Sequence, residues 1–314
     1  MRMGLKRRGI LRVGYVAIGL PNLKEARRFY RDTMGLLETV VEEKRVYYRC
    51  WHEPFHHSLL IEQSPEPRLI EIGLEVRDGQ DLDDFRKRLQ AEGLAIEEDD
   101  AIMKGLGRSF AFRIPGGQKV RLFDAMAEVG YVTGYESPDW NVPKELRGTP
   151  APLFLGHIAI TVPRPPETIG FLKDILGFQI SEWIRSDESG EPISALMFRT
   201  SYGQDIAVFP GKEGGLHHIA FVKTDEVEIL NDSTYLVEEG VKIDLYGFTL
   251  QPYGKTYSLY FFDPFGVRLE LFSGGRFSEL HPGFRPVVWS EKELKKALSY
   301  YDEFFNEQFL ASAL

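Results

Sequence analysis

Three residues, far apart along the chain, have the side-chain types that bind metal ions in proteins. His157 lies in GHIAI, His218 in GLHHIAF and Glu270 in GVRLE, and each stretch is typical of a strand. Two neutral imidazoles and one carboxylate on one side of an ion leave its other positions open. Non-haem iron(II) oxygenases use this arrangement. We predict that the three residues bind one metal ion.

Each of these residues, taken alone, could have a purely structural role in the core. The occurrence of all three on matched strands makes that explanation less convincing. A lone strand histidine is more often a hydrogen-bonded core group than a ligand. Glu270 is harder to explain in this way, because an unpaired carboxylate in an apolar strand is costly. Neighbouring side chains of a strand point to opposite faces, so we expect His217 to point away from the side that His218 faces.

The elements that would position these residues form a repeat. Residues 14–38 and 156–181 both read as a strand, a turn with proline, an amphipathic helix, a glycine and a second strand. Residues 70–98 and 217–245 give strand, helix, glycine and strand again. We therefore expect an α+β fold of four βαβββ modules, which form two open-barrel domains.

The domain boundaries that we expect follow from this repeat. Residues 1–130 would form the N-terminal pair of modules and residues 153–289 the C-terminal pair. Residues 131–152 would be a linker, because this stretch is rich in proline, glycine and polar residues. Residues 290–314 would form a C-terminal helix, whose apolar side chains recur at helical spacing and would pack on the C-terminal half.

The N-terminal pair of modules differs from the C-terminal pair at the positions of the three ligands. Our alignment places Tyr15, Ile72 and Arg121 there, in chain order. None of these is a histidine or a carboxylate, so we expect one metal ion per chain, in the C-terminal half. WHEPFHH, at residues 51–57, is a second group of metal-binding residue types. It lies in a polar connection, and we expect it to be solvated surface.

Composition excludes several classes of partner. The net charge of −9 over 314 residues argues against nucleic acid, which would require a basic face. No apolar run approaches the roughly 18 residues that cross a membrane. Arg12 and Gly14 interrupt the apolar run near the start of the chain, and no cleavage site follows. Together with the single cysteine, Cys50, this predicts a cytoplasmic protein.

The sequence resembles the type I extradiol dioxygenases of the vicinal oxygen chelate superfamily, those that are catechol 2,3-dioxygenase-like. GHIAI, GLHHIAF, LYFFDPFGVRLE (259–270) and the tail at 284–309 carry the resemblance over nearly the whole chain. It implies that the three predicted ligands hold iron(II), or manganese(II). It also implies that Tyr260 hydrogen-bonds near the substrate and that His217 supports the strand from behind. A catechol-type substrate, dioxygen and a homo-oligomeric state are the implied partners.

Two positions depart from the pattern of that family. A histidine usually precedes Asp in the strand before GLHHIAF, and Gln204 stands there. Another usually precedes the YFFDP motif, where either Gln251 or Thr249 stands, depending on the alignment. Glutamine hydrogen-bonds but does not titrate near neutral pH, so we expect Gln204 to orient bound oxygen without acting as a base.

Extradiol cleavage of a catechol-type ring is the leading hypothesis for the function. A metal-dependent enzyme of the same superfamily that does not use oxygen is one alternative, because the two histidines are absent. A protein that sequesters an aromatic ligand is another. Open coordination positions would be of little use to such a protein, which favours an enzyme.

Overall fold

The computed structural model describes residues 9–98, 103–130, 142–300, 309, 311 and 313–314. The N-terminal half contains a sheet of seven strands: β1 (Ile10–Leu20), β2 (Leu37–Val41), β3 (Arg45–Arg49), β4 (Leu59–Gln63), β5 (Arg68–Val76), β6 (Ser109–Arg113) and β7 (Lys119–Phe123). Their order across the described sheet is β2-β3-β4-β1-β5-β7-β6. The two ends of this order do not pair with each other, so the sheet is open.

The C-terminal half contains a larger sheet of the same kind. Its strands are β8 (Phe154–Val162), β9 (Gln179–Arg185), β10 (Pro192–Phe198), β11 (Ile206–Pro210), β12 (Gly215–Val222), β13 (Lys242–Gln251), β14 (Thr256–Phe262), β15 (Arg268–Gly274) and β16 (Val287–Ser290). The order is β13-β14-β15-β12-β8-β11-β10-β9-β16. In both halves the first strand lies between a parallel and an antiparallel neighbour, β4 and β5 for β1, and β11 and β12 for β8. The predicted α+β fold of repeated modules with open sheets is confirmed.

One helix belongs to each module, and a short helix follows the last. They are α1 (Leu23–Arg27, continued as a π-helix over Arg28–Thr33), α2 (Gly79–Ala91), α3 (Pro165–Asp174), α4 (Glu226–Glu238) and α5 (Leu294–Leu298). Asp78 and Asp225 cap α2 and α4, because each side chain accepts a hydrogen bond from the backbone three residues on. No helix of the described part of the chain is both long and apolar enough to cross a membrane.

The two halves share one apolar core and are also joined by specific hydrogen bonds. Tyr30, in the helix of the first module, donates to Asp263 Oδ2 at 2.8 Å. Gln118 Nε2 donates to the carbonyl oxygen of Thr161 at 2.9 Å. Each half therefore restrains loops and strand ends of the other.

The predicted domain boundaries lie close to residues that are outside the described part of the chain. Most of the linker, 131–141, is not described, so division at its ends stays a prediction. Of the predicted C-terminal helix, the structure describes a capping box between Ser290 and Glu293, then α5. Residues 301–308 lie outside the described residues.

Candidate metal centre

Strand register brings the three predicted ligands to one face of the C-terminal sheet. His157 on β8 pairs with Ala220 on β12, and Ala220 pairs with Glu270 on β15. His218 lies two residues before Ala220, so its side chain is on the same face. Three strands that are neighbours in space, although distant along the chain, therefore present their ligands side by side.

The ligand atoms form a compact triangle. His157 Nε2 lies 3.0 Å from His218 Nε2, and these atoms lie 3.2 Å and 3.1 Å from Glu270 Oε2. Three ligands at about 2.1 Å and at right angles around one ion would be about 3.0 Å apart. The spacing fits one ion held on a single face, with its opposite side open.

Burial and charge also fit a divalent cation. All three residues are at most 3 % exposed, and Glu270 Oε2 has no hydrogen-bond partner among the described residues. A buried carboxylate oxygen requires a positive partner. Burial acts to raise the pKa of Glu270, but the charges of the two nearby histidines, His157 first, hold it below its usual range. Burial lowers the pKa of His218 to about 4, so at neutral pH its imidazole is free to bind metal.

His217 does not point away from His218, and that expectation is wrong. The pairing of β12 with β8 is irregular between Leu216 and His218, which leaves His217 as an extra, unpaired residue within the ladder. Its Nδ1 lies 2.7 Å from Nδ1 of His218, and its Nε2 hydrogen-bonds the carbonyl oxygen of Phe309. His217 thus joins the tail of the chain to a predicted metal ligand.

A narrow cavity lies beside the three ligands. Its volume is about 20 Å³, roughly room for one water molecule. Besides the ligands, its wall consists of Leu196, Gln204, Ala207, Phe209, Gln251, Tyr253, Thr256, Tyr260, Leu298 and Phe309. A wider surface hollow of about 570 Å³, near Arg28 and Lys242, holds none of the predicted ligands. The residue types that line it, and not its volume, therefore identify the smaller cavity as part of the candidate site.

The polar residues that we selected from sequence line this cavity together. Gln204 and Gln251 are both buried, and Gln251 Nε2 donates to Tyr260 Oη at 3.1 Å. Thr249 is not among the lining residues, so Gln251 is the residue beside Tyr260. Burial and the nearby charge of Glu270 raise the pKa of Tyr260 well above its usual value. Tyr260 therefore keeps its proton at neutral pH.

Sequence reasoning missed the apolar wall of the cavity. Phe209 and Tyr253 carry no signal of their own in the sequence. Leu298 and Phe309 belong to the helical pattern that we expected to pack on the C-terminal half. They do pack there, and they also close the cavity over the ligands. The helical spacing indicated burial, but only the tertiary fold shows what is buried beneath.

The counterpart position in the N-terminal half holds an ion pair. Tyr15 on β1 pairs with Gly73 on β5, and Gly73 pairs with Arg121 on β7. In the C-terminal half, Ala220 connects His157 and Glu270 in the same way. Glu71, two residues before Gly73, therefore takes the place that we assigned to Ile72. Our alignment was wrong by one residue, and such a shift turns a side chain to the opposite face. A carboxylate is thus present at one of the three positions.

Arg121 and Tyr15 satisfy that carboxylate completely. Arg121 donates to Glu71 Oε1 at 2.8 Å and to Oε2 at 3.1 Å, and Tyr15 donates to Oε1 at 2.5 Å. A bidentate guanidinium pair of this kind is a strong interaction when it is buried. In this half, a guanidinium supplies the positive charge that we predict a metal ion to supply in the other.

WHEPFHH is not solvated surface, and that expectation is wrong as well. His52 is exposed, but Glu53, His56 and His57 are at most 7 % exposed. Glu53 accepts a hydrogen bond from the backbone nitrogen of Leu155, at the start of the strand that carries a predicted ligand. Buried polar side chains are tolerated where backbone groups satisfy them, which sequence alone does not reveal.

Paired open sheets of repeated βαβββ modules, with two histidines and one glutamate converging on one face, are the arrangement expected of a metal-dependent enzyme. The profile of the Glyoxalase/Bleomycin resistance protein/Dioxygenase superfamily matches residues 12–122 and 154–271. These matches span most of the chain, which therefore belongs to this superfamily.

Relatives extend over nearly the full length of the chain. Metapyrocatechase of Pseudomonas sp. (strain CF600) is 29 % identical, over 97 % of this chain and 98 % of its own length. A manganese-dependent 2,3-dihydroxybiphenyl 1,2-dioxygenase of Geobacillus genomosp. 3 is also 29 % identical, over 93 % and 94 %. The predicted relationship to the extradiol dioxygenases is confirmed.

Solved structures agree with this relationship. The 2,3-dioxygenase LapB from Pseudomonas sp. KL28 has a TM-score of 0.82 and 26 % identity, and the match covers 91 % of this chain and 99 % of LapB. Homoprotocatechuate 2,3-dioxygenase from Arthrobacter globiformis has a TM-score of 0.87 at 22 % identity, covering 96 % and 91 %. The second likeness concerns the fold alone.

Proposed function

We propose that this protein cleaves a catechol-type ring with dioxygen, by extradiol cleavage, at an iron(II) ion held by His157, His218 and Glu270. Manganese(II) is the alternative ion, since one of the relatives is manganese-dependent. Convergence of the three buried ligand atoms to within about 3 Å of one another carries the proposal. Full-length similarity to a metapyrocatechase supports the reaction type.

The residues of this chain would bind and orient the reactants. Iron(II) bound at the triad would supply Lewis acidity and electron transfer towards dioxygen. Tyr260 holds a proton at Oη next to the ligands and is itself held by Gln251. Gln204 also lines the cavity and offers amide hydrogen-bond donors there. The apolar remainder of the wall excludes water, which strengthens each of these polar interactions.

Proton transfer would depend on few groups. Apart from the three predicted ligands, the described lining residues include no histidine, carboxylate, cysteine or lysine. General acid–base catalysis is typically worth about 10²–10⁴-fold in rate. Turnover is therefore expected to be slow compared with a site that has a histidine in place of Gln204, because Tyr260 and the substrate hydroxyls must carry the protons.

Anaerobic loading with iron(II), followed by catechol and then air, tests the proposed reaction. Uptake of one dioxygen per catechol, with formation of a yellow ring-opened semialdehyde, is expected. The same protein stripped of metal is the control and should consume no oxygen. Absence of uptake across several catechols, from protein that holds one iron per chain, would contradict the proposal.

A metal-dependent reaction without oxygen is the second candidate, and the two glutamines favour it. Gln204 and Gln251 line the cavity where the family usually has histidines. This candidate predicts activity with Zn²⁺ or Mg²⁺ and no oxygen consumption. The oxygen electrode therefore separates the two candidates directly.

We also propose a cytoplasmic homo-oligomer. The chain has a single cysteine, Cys50, which cannot form an internal disulfide, and this suits a reducing compartment. Sedimentation velocity of the purified full chain measures the number of subunits. A single species with the mass of one chain would contradict the proposed oligomer.

A further inference from the structure

A second buried glutamate, Glu182, lies on the inner face of the C-terminal sheet. It is 1 % exposed, and it is opposite Leu196 in the pairing of β9 with β10. Leu196 is in turn opposite Ala207, and these two residues line the cavity beside the triad. Residues that are directly opposite in neighbouring strands have their side chains on one face. Glu182 therefore lies one strand away from the cavity wall, although it is not itself a lining residue.

The carboxylate of Glu182 accepts hydrogen bonds from two neutral donors. Trp289 Nε1 donates to Oε2 at 2.8 Å, and the backbone nitrogen of Gly254 donates to Oε1 at 3.3 Å. Neither donor carries a charge, so neither offsets the desolvation of the carboxylate as an ion pair would. A glutamine in its place would direct an NH2 group against one of the two donors and leave that donor unpaired. The two donors thus require a carboxylate at this position.

Gly254 lies in the turn between β13 and β14, which carries part of the cavity wall. Gln251, Tyr253 and Thr256 of this segment line the cavity. Gly254, with φ of 92°, and Lys255, with φ of 56°, are both left-handed. The second is unfavourable for a residue with a side chain, and such a conformation persists only where surrounding contacts hold it.

Glu182 supplies one of the contacts that hold this turn. The other described contacts to its central residues come from backbone groups. The nitrogen of Arg276 donates to the carbonyl oxygen of Gly254 at 2.9 Å, and the nitrogen of Gly275 donates to that of Lys255 at 2.9 Å. Glu182 binds the remaining polar group of Gly254, its N–H. Both polar groups of this glycine are therefore fixed from outside the turn.

Gln204 packs against the same glycine. A Cβ on Gly254 would lie 2.8 Å from Gln204 Oε1, so the side-chain amide and the glycine are in close contact. The position of Gly254 therefore limits where Gln204 places its oxygen. Because the amide group is planar, the place of its oxygen also determines the direction of its nitrogen.

We infer that Glu182 is a positioning residue, which fixes the turn at Gly254 and thereby the side-chain amide of Gln204 beside the triad. The inference rests on the proposed function, because it assumes that the amide of Gln204 orients dioxygen there. Glu182 acts only through the turn, since it does not line the cavity.

Spectra of the side-chain amides of the metal-free full chain test the positioning directly. The glutamine side chains are labelled with 15N, and the Gln204 signal is identified in each background by its absence after Gln204→Ala. We expect this signal to shift in Glu182→Gln. Glu188→Gln, an exposed change in the connection between β9 and β10, is the matched control and should leave the signal in place.

A double-mutant cycle measures the effect on turnover. In the iron-loaded full chain, Glu182→Gln is expected to lower kcat for catechol by about 10-fold, the usual effect of leaving one buried donor unpaired. The affinity for catechol without oxygen should change by less than about 2-fold, because the effect concerns dioxygen and not the ring. In a Gln204→Ala background, Glu182→Gln should have little further effect on kcat, since the amide that it positions is absent. An equal loss of kcat in both backgrounds would contradict the inference.

The two measurements separate this inference from the proposed function. If no catechol is turned over but the Gln204 signal shifts in Glu182→Gln, the reaction fails and the positioning role stands. If that signal does not move in folded Glu182→Gln, the inference is overturned whatever the turnover. Where Glu182→Gln folds poorly, Trp289→Phe replaces it, because this change removes the other donor to the same carboxylate. The expected shift and the contrary result are then the same.

Discussion

At the scale of single residues, Glu270 should decide whether the centre holds a metal. Glu270→Gln replaces the one anionic ligand by a neutral amide, so metal content is expected to fall from about one ion per chain to a small fraction. The buried carboxylate has no other hydrogen-bond partner at Oε2 among the described residues, so little else in the fold depends on its charge. Elemental analysis of the purified protein, with circular dichroism as a check on folding, measures this.

Glu167→Gln is the matched control for that change. Glu167 lies in the first turn of α3 and its side chain is 46 % exposed, so metal content should be unaffected. Full metal content in folded Glu270→Gln would show that the ion is held elsewhere.

Gln204→His tests whether the missing histidine limits the rate. An imidazole in the cavity wall can accept and release a proton, so kcat should rise by about 10-fold or more. It should also gain a dependence on pH at or below about 6.5, since burial lowers the pKa of a histidine. Rates of oxygen uptake from pH 5.5 to 8.5 measure both effects. Gln204→Asn, which keeps the amide, should produce no such pH dependence. A histidine variant with the wild-type rate and pH profile would mean that proton transfer does not limit turnover.

At the scale of elements, the antiparallel pair of β1 and β5 leaves no room for a side chain at Gly73, which is paired with Tyr15. A Cβ there would lie 1.9 Å from Cε1 of Tyr15, whose ring is fully buried. Gly73→Ala is therefore expected to lower the free energy of unfolding by about 1–3 kcal/mol, the usual cost of overpacking. Urea denaturation measures this.

Gly170→Ala is the control with the opposite expected sign. Gly170 lies inside α3, and a Cβ there meets nothing within 4 Å. Alanine should stabilise this helix by about 0.5–1 kcal/mol. Equal effects of the two substitutions would show that Gly73 is not required to make room for the ring of Tyr15.

At the scale of the whole molecule, Asp263, which accepts a hydrogen bond from Tyr30 of the other half, should make the stability of the protein depend on pH. Burial raises the pKa of Asp263 to about 6, although hydrogen bonds from Tyr30 and from backbone groups oppose the shift. Between about pH 4 and pH 6 the folded protein therefore keeps a proton that the unfolded chain has released. The contribution of this residue to stability falls as pH rises through that window.

Asp263→Asn cannot ionise and should escape that loss. Relative to wild type, its free energy of unfolding is expected to be higher at pH 7 than at pH 4, by at most about 3 kcal/mol. Any constant loss of hydrogen bonding cancels in this double difference, which urea denaturation at the two pH values measures. Asp174→Asn, at a carboxylate whose side chain is 65 % exposed, should give no difference. If the free energy of unfolding of Asp263→Asn relative to wild type stays constant or falls as pH rises, the raised pKa of Asp263 is contradicted.

Local patterns in the sequence determined the elements, the repeat and the ligand types. Strands such as GHIAI and GLHHIAF, and a glycine after each module helix, are read from neighbouring residues, because strand alternation and helix termination are local. Glu270 stood out for the same reason, since a carboxylate within an apolar strand conflicts with its surroundings. This information identified the fold and the three candidate ligands before any coordinates.

Only the tertiary structure decided which way individual side chains face and what covers them. The irregular pairing beside Leu216 turned His217 towards its neighbour, and the register of β5 placed Glu71 where we had placed Ile72. Rotation of α5 put Leu298, and not Lys295, in the cavity wall. Each outcome depends on contacts between segments that are far apart along the chain, and a shift of one residue in register reverses the face of a side chain.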